Sequence, residues 1–246
     1  TEASLAFRRR NLIEMVGYCE EDVDEGPIFI ISKLVQGVSL DKYVDQFRNS
    51  PDWVERICRC IYPVMDALSY LHEKNVVHLD IKPSNIMVEN GSNVRLMDLG
   101  IAFTSKLISS GNGGLLGTAG FAAPEQYIQR GQKDITFKNT TDIYELGATL
   151  YNLLSQTKAF ADNPVVLTPI TGVSKDVMRV LDKSMKMMPA ERYQSAAEFK
   201  RALMDALAGK KVKKSKRSSA PSWLLPVVIG VVLALIVIGI LLLLFA

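Results

Sequence analysis

His78-Leu79-Asp80-Ile81-Lys82-Pro83-Ser84-Asn85, followed after a short interval by Asp98-Leu99-Gly100, is the stretch that decides the fold. Between the two lie Ile86-Met87-Val88 and Val94-Arg95-Leu96-Met97 on either side of Asn90-Gly91. Two short apolar runs around an Asn-Gly pair are the strongest short-range hairpin signal. The polar stretch therefore sits on a loop entering a hairpin, with Asp98 just past its exit. Upstream, Ile57, Ile61, Val64, Met65, Leu68 and Leu71 recur at three- and four-residue steps, which predicts a helix over Trp53–Glu73 with one apolar face. This arrangement carries what phosphoryl transfer from ATP needs. Asp80 can accept the proton of an attacking hydroxyl, and Lys82 can reach the moving phosphoryl group as a point charge. Asn85 supplies a neutral oxygen and Asp98 a charged one, a donor pair that suits Mg2+. Any one of these residues alone reads as an ordinary polar loop residue. Together, at this spacing around a hairpin, they do not.

Working outward, residues 1 to about 16 read as the end of a helix running into an extended segment, and Gly26-Pro27 as a turn. Ile28-Phe29-Ile30-Ile31 is an apolar run suited to a buried strand. Beyond Pro124 the pattern is mainly helical, over about 141–155, 174–188 and 195–207. An early strand, a central hairpin and late helices predict an α+β domain with a helical larger half. There is no internal repeat.

The motifs resemble those of eukaryotic-type protein kinases: H-R-D-x-x-x-x-N, then D-F-G, then A-P-E. This chain has His78-Leu79-Asp80 with Asn85, then Asp98-Leu99-Gly100, then Ala123-Pro124-Glu125 preceded by Gly117-Thr118, in the same order and at matching intervals. Gly120-Phe121-Ala122-Ala123-Pro124-Glu125-Gln126 looks most like bacterial members of the family. Asp142-Ile143-Tyr144-Glu145-Leu146-Gly147 resembles the Asp-bearing helix that braces the catalytic loop. Pro189-Ala190-Glu191-Arg192-Tyr193 resembles the late motif whose Arg pairs with the A-P-E glutamate, which implies an Arg192–Glu125 pair. The likeness spans roughly residues 1–207. It implies a protein kinase-like fold, with Asp80, Lys82 and Asn85 catalytic and Asn85 and Asp98 on the metal. Lys82, two places after Asp80, implies the Ser/Thr class, and Thr118 would contact Asp80 and Lys82. By the same likeness Ile31 to Gly37 forms the linker between lobes, where backbone groups of Lys33 and Val35 meet the adenine edge. Met87 forms the pocket floor, and Ser32 falls at the gatekeeper position, the plain alternative for Ser32 being a buried hydroxyl bonded to backbone.

The departures from the family pattern carry expectations of their own. The glycine-rich phosphate loop and the third-strand Lys are missing, so the smaller lobe is incomplete. The chain, which begins at Thr1, is expected to be a piece of a longer protein that binds nucleotide poorly by itself. Glu2 could be the glutamate that pairs with the absent Lys. A glutamate on a helix surface is the plain alternative. Gly111-Asn112-Gly113-Gly114 falls inside the activation segment and reads as a flexible loop. Leu79 stands where relatives carry an Arg that grips a phosphorylated activation loop, which removes that anchor. Leu99 replaces Phe and keeps an apolar contact.

Composition separates the body from a tail. Six of the positive charges lie between Lys210 and Arg217, and without these six the net charge of +3 becomes −3. The basic balance thus belongs to a short segment and not to a nucleic-acid-binding face. From Trp223 to Phe245 no residue is charged. At about 1.5 Å per residue this stretch spans about 35 Å, enough for a hydrocarbon core of about 30 Å. Lys210, Lys211, Lys213, Lys214, Lys216 and Arg217 precede it directly, and by the positive-inside rule they stay cytoplasmic. Cys19, Cys58 and Cys60 form no C-x-x-C pair and have no ligand spacing to His72 or His78, so they read as reduced thiols. The expected organisation is a kinase domain over 1–207 with an incomplete N-lobe, a basic linker over 208–222 and a single transmembrane helix over 223–246. The kinase domain faces the cytoplasm. The expected function is transfer of the ATP γ-phosphate, with Mg2+, to Ser or Thr of protein substrates. The lipid bilayer and a second copy of the chain are further expected partners, and nucleic acid is not. A membrane-tethered pseudokinase that works by binding a partner is the alternative, against which the retention of Asp80, Lys82, Asn85 and Asp98 argues.

Overall fold

Asn90 and Gly91 both adopt positive φ, 50° and 70°, and the hairpin expected around them forms. The computed structural model describes residues 11–20, 28–98, 113–132, 135–157 and 167–210. The order of regular elements is β1 (Met15–Glu20), β2 (Ile28–Ser32), β3 (Gly37–Ser39), α1 (Leu40–Val44), α2 (Trp53–Glu73), β4 (Ile86–Glu89), β5 (Asn93–Leu96), β6 (Gly114–Leu115), β7 (Tyr127–Ile128), α3 (Asn139–Ser155), α4 (Lys175–Ser184) and α5 (Ala196–Leu207). Glu2, Leu99, Gly100, the Gly26-Pro27 turn and the apolar stretch from Trp223 lie outside the described residues. Among the described residues no helix is long and apolar enough to cross a membrane.

The larger half is helical. Ile57, Ile61, Val64, Met65, Leu68 and Leu71, the stripe read from the sequence, are all fully buried, and α2 packs them against α3 and α5. Each side chain of this kind contributes about 1.5–3 kcal/mol when fully buried. Ser174 caps α4 by accepting from Val177 N–H, and Ser195 caps α5 by accepting from Glu198 N–H. Gly147 of α3 leaves no room for a Cβ against Ser184, which lets α3 and α4 approach closely. Cys58 and Cys60 are free thiols, pushed up to about 12 and about 11 by burial, and so unreactive at neutral pH.

The described residues also form three sheets. β4 pairs antiparallel with β5 and also with β3, so the hairpin is the core of a three-stranded sheet. Residues 11–13 join this sheet, with Leu96 N–H donating to Asn11 O and Ile13 N–H to Leu96 O. β1 and β2 form a separate antiparallel pair.

Three readings are corrected. The Ile28–Ile31 run is a strand, but Ile30 and Ile31 are not buried: they are 45% and 52% exposed, and among the described residues β2 pairs with β1 alone. The helix expected over 174–188 stops at Ser184, since the carbonyls of Lys186 and Met187 turn toward the Arg192 guanidinium. Gly113-Gly114 is not a free loop. Gly114 starts β6, paired with Ile128, and Gly113 takes φ 71° where a Cβ would lie 2.7 Å from Arg130 N.

Candidate active site

The loop after α2 has little regular structure to hold it, so its backbone groups are met by side chains. Asp142, fully buried in the first turn of α3, accepts from His78 N–H at 2.9 Å, Leu79 N–H at 3.0 Å and His72 Nε2 at 2.8 Å. His78 is buried behind the loop. Its Nε2 donates to Met97 O at 2.8 Å, and its Nδ1 accepts from Asp80 N–H at 3.3 Å. Both bonds need the neutral ring with hydrogen on Nε2. Burial agrees, pushing His78 below its ordinary value against the opposing charges of Asp142, Asp80 and Asp98. The imidazole thus fixes the residue before Asp98 to the loop that carries Asp80.

Leu79 adopts φ 69°, an uncommon conformation for a side chain of its kind. Asp142 accepts its N–H, Gln126 Nε2 donates to its carbonyl at 3.0 Å, and its side chain packs with Leu116 and Ile128 in a small apolar cluster. Such strain costs about 1–3 kcal/mol and persists because the surroundings over-determine it. Where an Arg would offer charge, this chain buries a Leu between the loop and the segment from 113 onward.

The chemistry-bearing side chains converge on Asp80. Its Oδ1 accepts from the Thr118 hydroxyl at 2.6 Å. Its Oδ2 accepts from Lys82 Nζ at 2.8 Å and Asn85 Nδ2 at 3.0 Å. Lys82 Nζ also donates to Thr118 Oγ1 at 2.7 Å, so the hydroxyl is oriented unambiguously toward the carboxylate. Asp80 and Lys82 are about a quarter exposed at their side chains, open enough to meet a ligand. Asn85 spends its amide hydrogens on Asp80, which leaves its Oδ1 as an acceptor. Asp98 is exposed at φ 48° and makes no ion pair among the described residues. One amide oxygen and one carboxylate, neither in an ion pair among the described residues, fit a hard cation that keeps several waters.

Further out, Arg192 is fully buried and spends all five N–H donors. Two go to Glu125, at 2.7 and 2.8 Å, and the others to Thr140 O, Lys186 O and Met187 O. Ser32, Lys33, Val35 and Met87 lie along β2, the following linker and β4. Lys33 N–H donates to Glu14 O at 2.8 Å, and Met87 is half-buried opposite Ser39. Ser32 is exposed, so the buried-hydroxyl alternative is wrong for it.

Sequence reading missed two residues. Glu145, one turn after Asp142, is fully buried, accepts from Ile81 N–H at 2.9 Å and from Gln126 Nε2 at 2.9 Å. Burial pushes its carboxyl up, and the charge of Asp142 adds to this. Gln126 is also fully buried and reaches Leu79 O, Leu116 O and Ala123 N–H. The available signal was a carboxylate at an inward position of a helix buried almost all round.

The family model for the protein kinase domain matches residues 2–225. This chain belongs to the protein kinase family. Among curated relatives, the serine/threonine-protein kinase PknB of Mycobacterium tuberculosis is 32% identical over 201 residues, covering 74% of this chain and 31% of PknB. An L-type lectin-domain containing receptor kinase, VIII.1, of Arabidopsis thaliana is 33% identical over 154 residues, 61% of this chain and 20% of its own. The chain therefore spans about a third or less of the length of these relatives. The PknI kinase domain of Mycobacterium tuberculosis superposes with a TM-score of 0.66 at 21% identity, covering 83% of this chain and 75% of that one. That likeness shows the kinase fold.

Proposed function

We propose that this chain is the catalytic part of a membrane-anchored Ser/Thr protein kinase, transferring the ATP γ-phosphate to protein hydroxyls. The observation that carries the reading is the Asp80–Lys82–Asn85–Thr118 cluster, four side chains that meet through hydrogen bonds of 2.6–3.0 Å. Asp80 takes the proton of the Ser or Thr hydroxyl as its oxygen bonds to the γ-phosphorus, and the bond to ADP breaks. Lys82 meets the charge on the moving phosphoryl group. Thr118, held by both, seats the substrate hydroxyl. Asn85 and Asp98 would hold Mg2+, which when bound neutralises phosphate charge. Lys33 and Val35 would face the adenine edge with their backbone, Met87 its floor and Ser32 the space behind it. Glu2 would pair with a lysine supplied from the smaller lobe.

The reading extends to location. The uncharged stretch from Trp223 to Phe245 crosses the bilayer, and the six cations before it keep the kinase domain on the cytoplasmic side, where ATP is. Pairing of two copies belongs to the same reading. Asp80→Asn in the full-length protein should lower kcat by on the order of 10²-fold or more, as expected for lost general-base assistance. Asp98→Asn should abolish Mg2+-dependent turnover. Near-normal phosphorylation by either variant would overturn the roles. Carbonate washing should leave the protein in the membrane fraction, and its release would overturn the span.

A further inference from the structure

Asp80 is the residue whose position matters most to the proposed transfer, and it lies on a loop with few backbone partners. Its neighbours are fixed from one side. Leu79 N–H goes to Asp142, Leu79 O to Gln126, Ile81 N–H to Glu145 and Ile81 O to the Thr149 hydroxyl at 3.0 Å. Three of those four partners stand on successive turns of α3. Asp142 was expected to brace the loop; Glu145 was not. Its two oxygens divide their work. Oε2 takes Ile81 N–H, between Asp80 and Lys82, and Oε1 takes Gln126 Nε2. Gln126 Nε2 divides its two hydrogens among Glu145 Oε1, Leu79 O and Leu116 O, the last at 2.9 Å and two residues before Thr118. Its own Oε1 accepts Ala123 N–H at 2.6 Å, so the amide cannot turn over without setting donor against donor.

We propose that Glu145 is a positioning residue for the transfer: its carboxylate ties the Asp80–Lys82 backbone and, through Gln126, the Thr118 segment to the same point of α3. The substrate-seating hydroxyl and the proton acceptor are then held as one unit. Gly117 fits this account, since a Cβ there would lie 2.9 Å from both Gln126 Nε2 and Leu79 O. A buried carboxylate is expensive, and a hydrophobic residue of like volume could fill the space without it. Its two directed bonds are what the cost secures. A displacement of about 1 Å at such a site can cost 10²-fold in rate.

The test uses full-length protein carrying Glu145→Gln, which keeps shape and an acceptor for Ile81 N–H but sets an NH2 against that of Gln126. The proposal rests on the kinase reading for its kinetic arm. There, kcat should fall by about 10- to 100-fold while KM for ATP moves by less than about twofold. Gln126→Ala should give a similar loss, and the double variant should be no worse than the poorer single one. Wild-type kcat in Glu145→Gln, or losses that multiply, would overturn the proposal. A second arm needs no activity. Amide hydrogen exchange of residues 79–82 and 116–126 should accelerate together in Glu145→Gln, by about tenfold, with α5 unchanged. If the two segments keep wild-type protection, the proposal fails even where the protein is an active kinase. If wild-type protein transfers no phosphate yet both segments loosen together, the kinase reading fails and the positioning role of Glu145 stands.

Discussion

Removing Arg192 should cost more than removing any other single side chain distant from Asp80. The guanidinium has no solvent exposure, and its five N–H donors meet five acceptors, two of them on Glu125. Tyr144 lies against its face, 4.9 Å from ring centroid to the guanidinium carbon. Arg192→Ala leaves the carbonyls of Thr140, Lys186 and Met187 facing a void and Glu125, among the described residues, with the Thr141 hydroxyl alone. Breaking a buried pair by deleting one partner costs about 3–5 kcal/mol. For a domain of this size each kcal/mol shifts Tm by about 2–4 °C, so the expected fall is about 6–20 °C. Arg192→Lys, with three donors and no planar fork, should fall part of the way. Glu125→Gln should lose less than Arg192→Ala, because the Glu125 side chain is 23% exposed and rehydrates in part. Thermal melts followed by near-ultraviolet circular dichroism measure all three. An Arg192→Ala melt within about 2 °C of wild type would mean that these five bonds contribute little to stability.

Two further outcomes follow from the geometry. Gly117→Ala should both destabilise the fold and slow the proposed phosphoryl transfer, because φ there is 105° and the added Cβ meets Leu79 O and Gln126 Nε2 at 2.9 Å; unchanged melting and turnover would contradict it. His78, held below its ordinary value of 6.5 by burial, binds fewer protons folded than unfolded. Its stability contribution is therefore complete above pH about 6.5 and lost as pH falls through the lowered folded value. Tm measured from pH 7 down to 5 should drop more steeply for wild type than for His78→Gln, and parallel curves would contradict this.

Local patterns carried most of the larger half. The apolar stripe of α2 and the Asn90-Gly91 turn are short-range signals, and both elements formed where read. The contacts that assemble the site are not short-range. Asp142 and His78 are 64 residues apart, and Arg192 and Glu125 are 67, so only likeness to a family could pair them from sequence. The errors have the same origin. The Ile28–Ile31 run has the composition of a buried strand, but burial depends on neighbours that periodicity does not name. Met185 to Met188 continues an apolar pattern past the end of α4, and a distant arginine claims the carbonyls that would have continued the helix. Glu145 went unread because its partners, Ile81 and Gln126, lie far away in sequence and touch it only in the folded chain.

If the Asp80 cluster drives transfer of a phosphoryl group from ATP to protein Ser or Thr, the products carry the proof. The most direct measurement incubates full-length wild-type protein and Asp80→Asn with γ-labelled ATP, Mg2+ and a mixture of unfolded proteins, then hydrolyses the products and separates phosphoserine, phosphothreonine and phosphotyrosine. Label should appear on serine and threonine with wild type, be lost on chelation of Mg2+ and fall on the order of 10²-fold or more with Asp80→Asn. No transfer by wild type, label confined to tyrosine, or equal transfer by the two proteins would contradict this role of the Asp80 cluster.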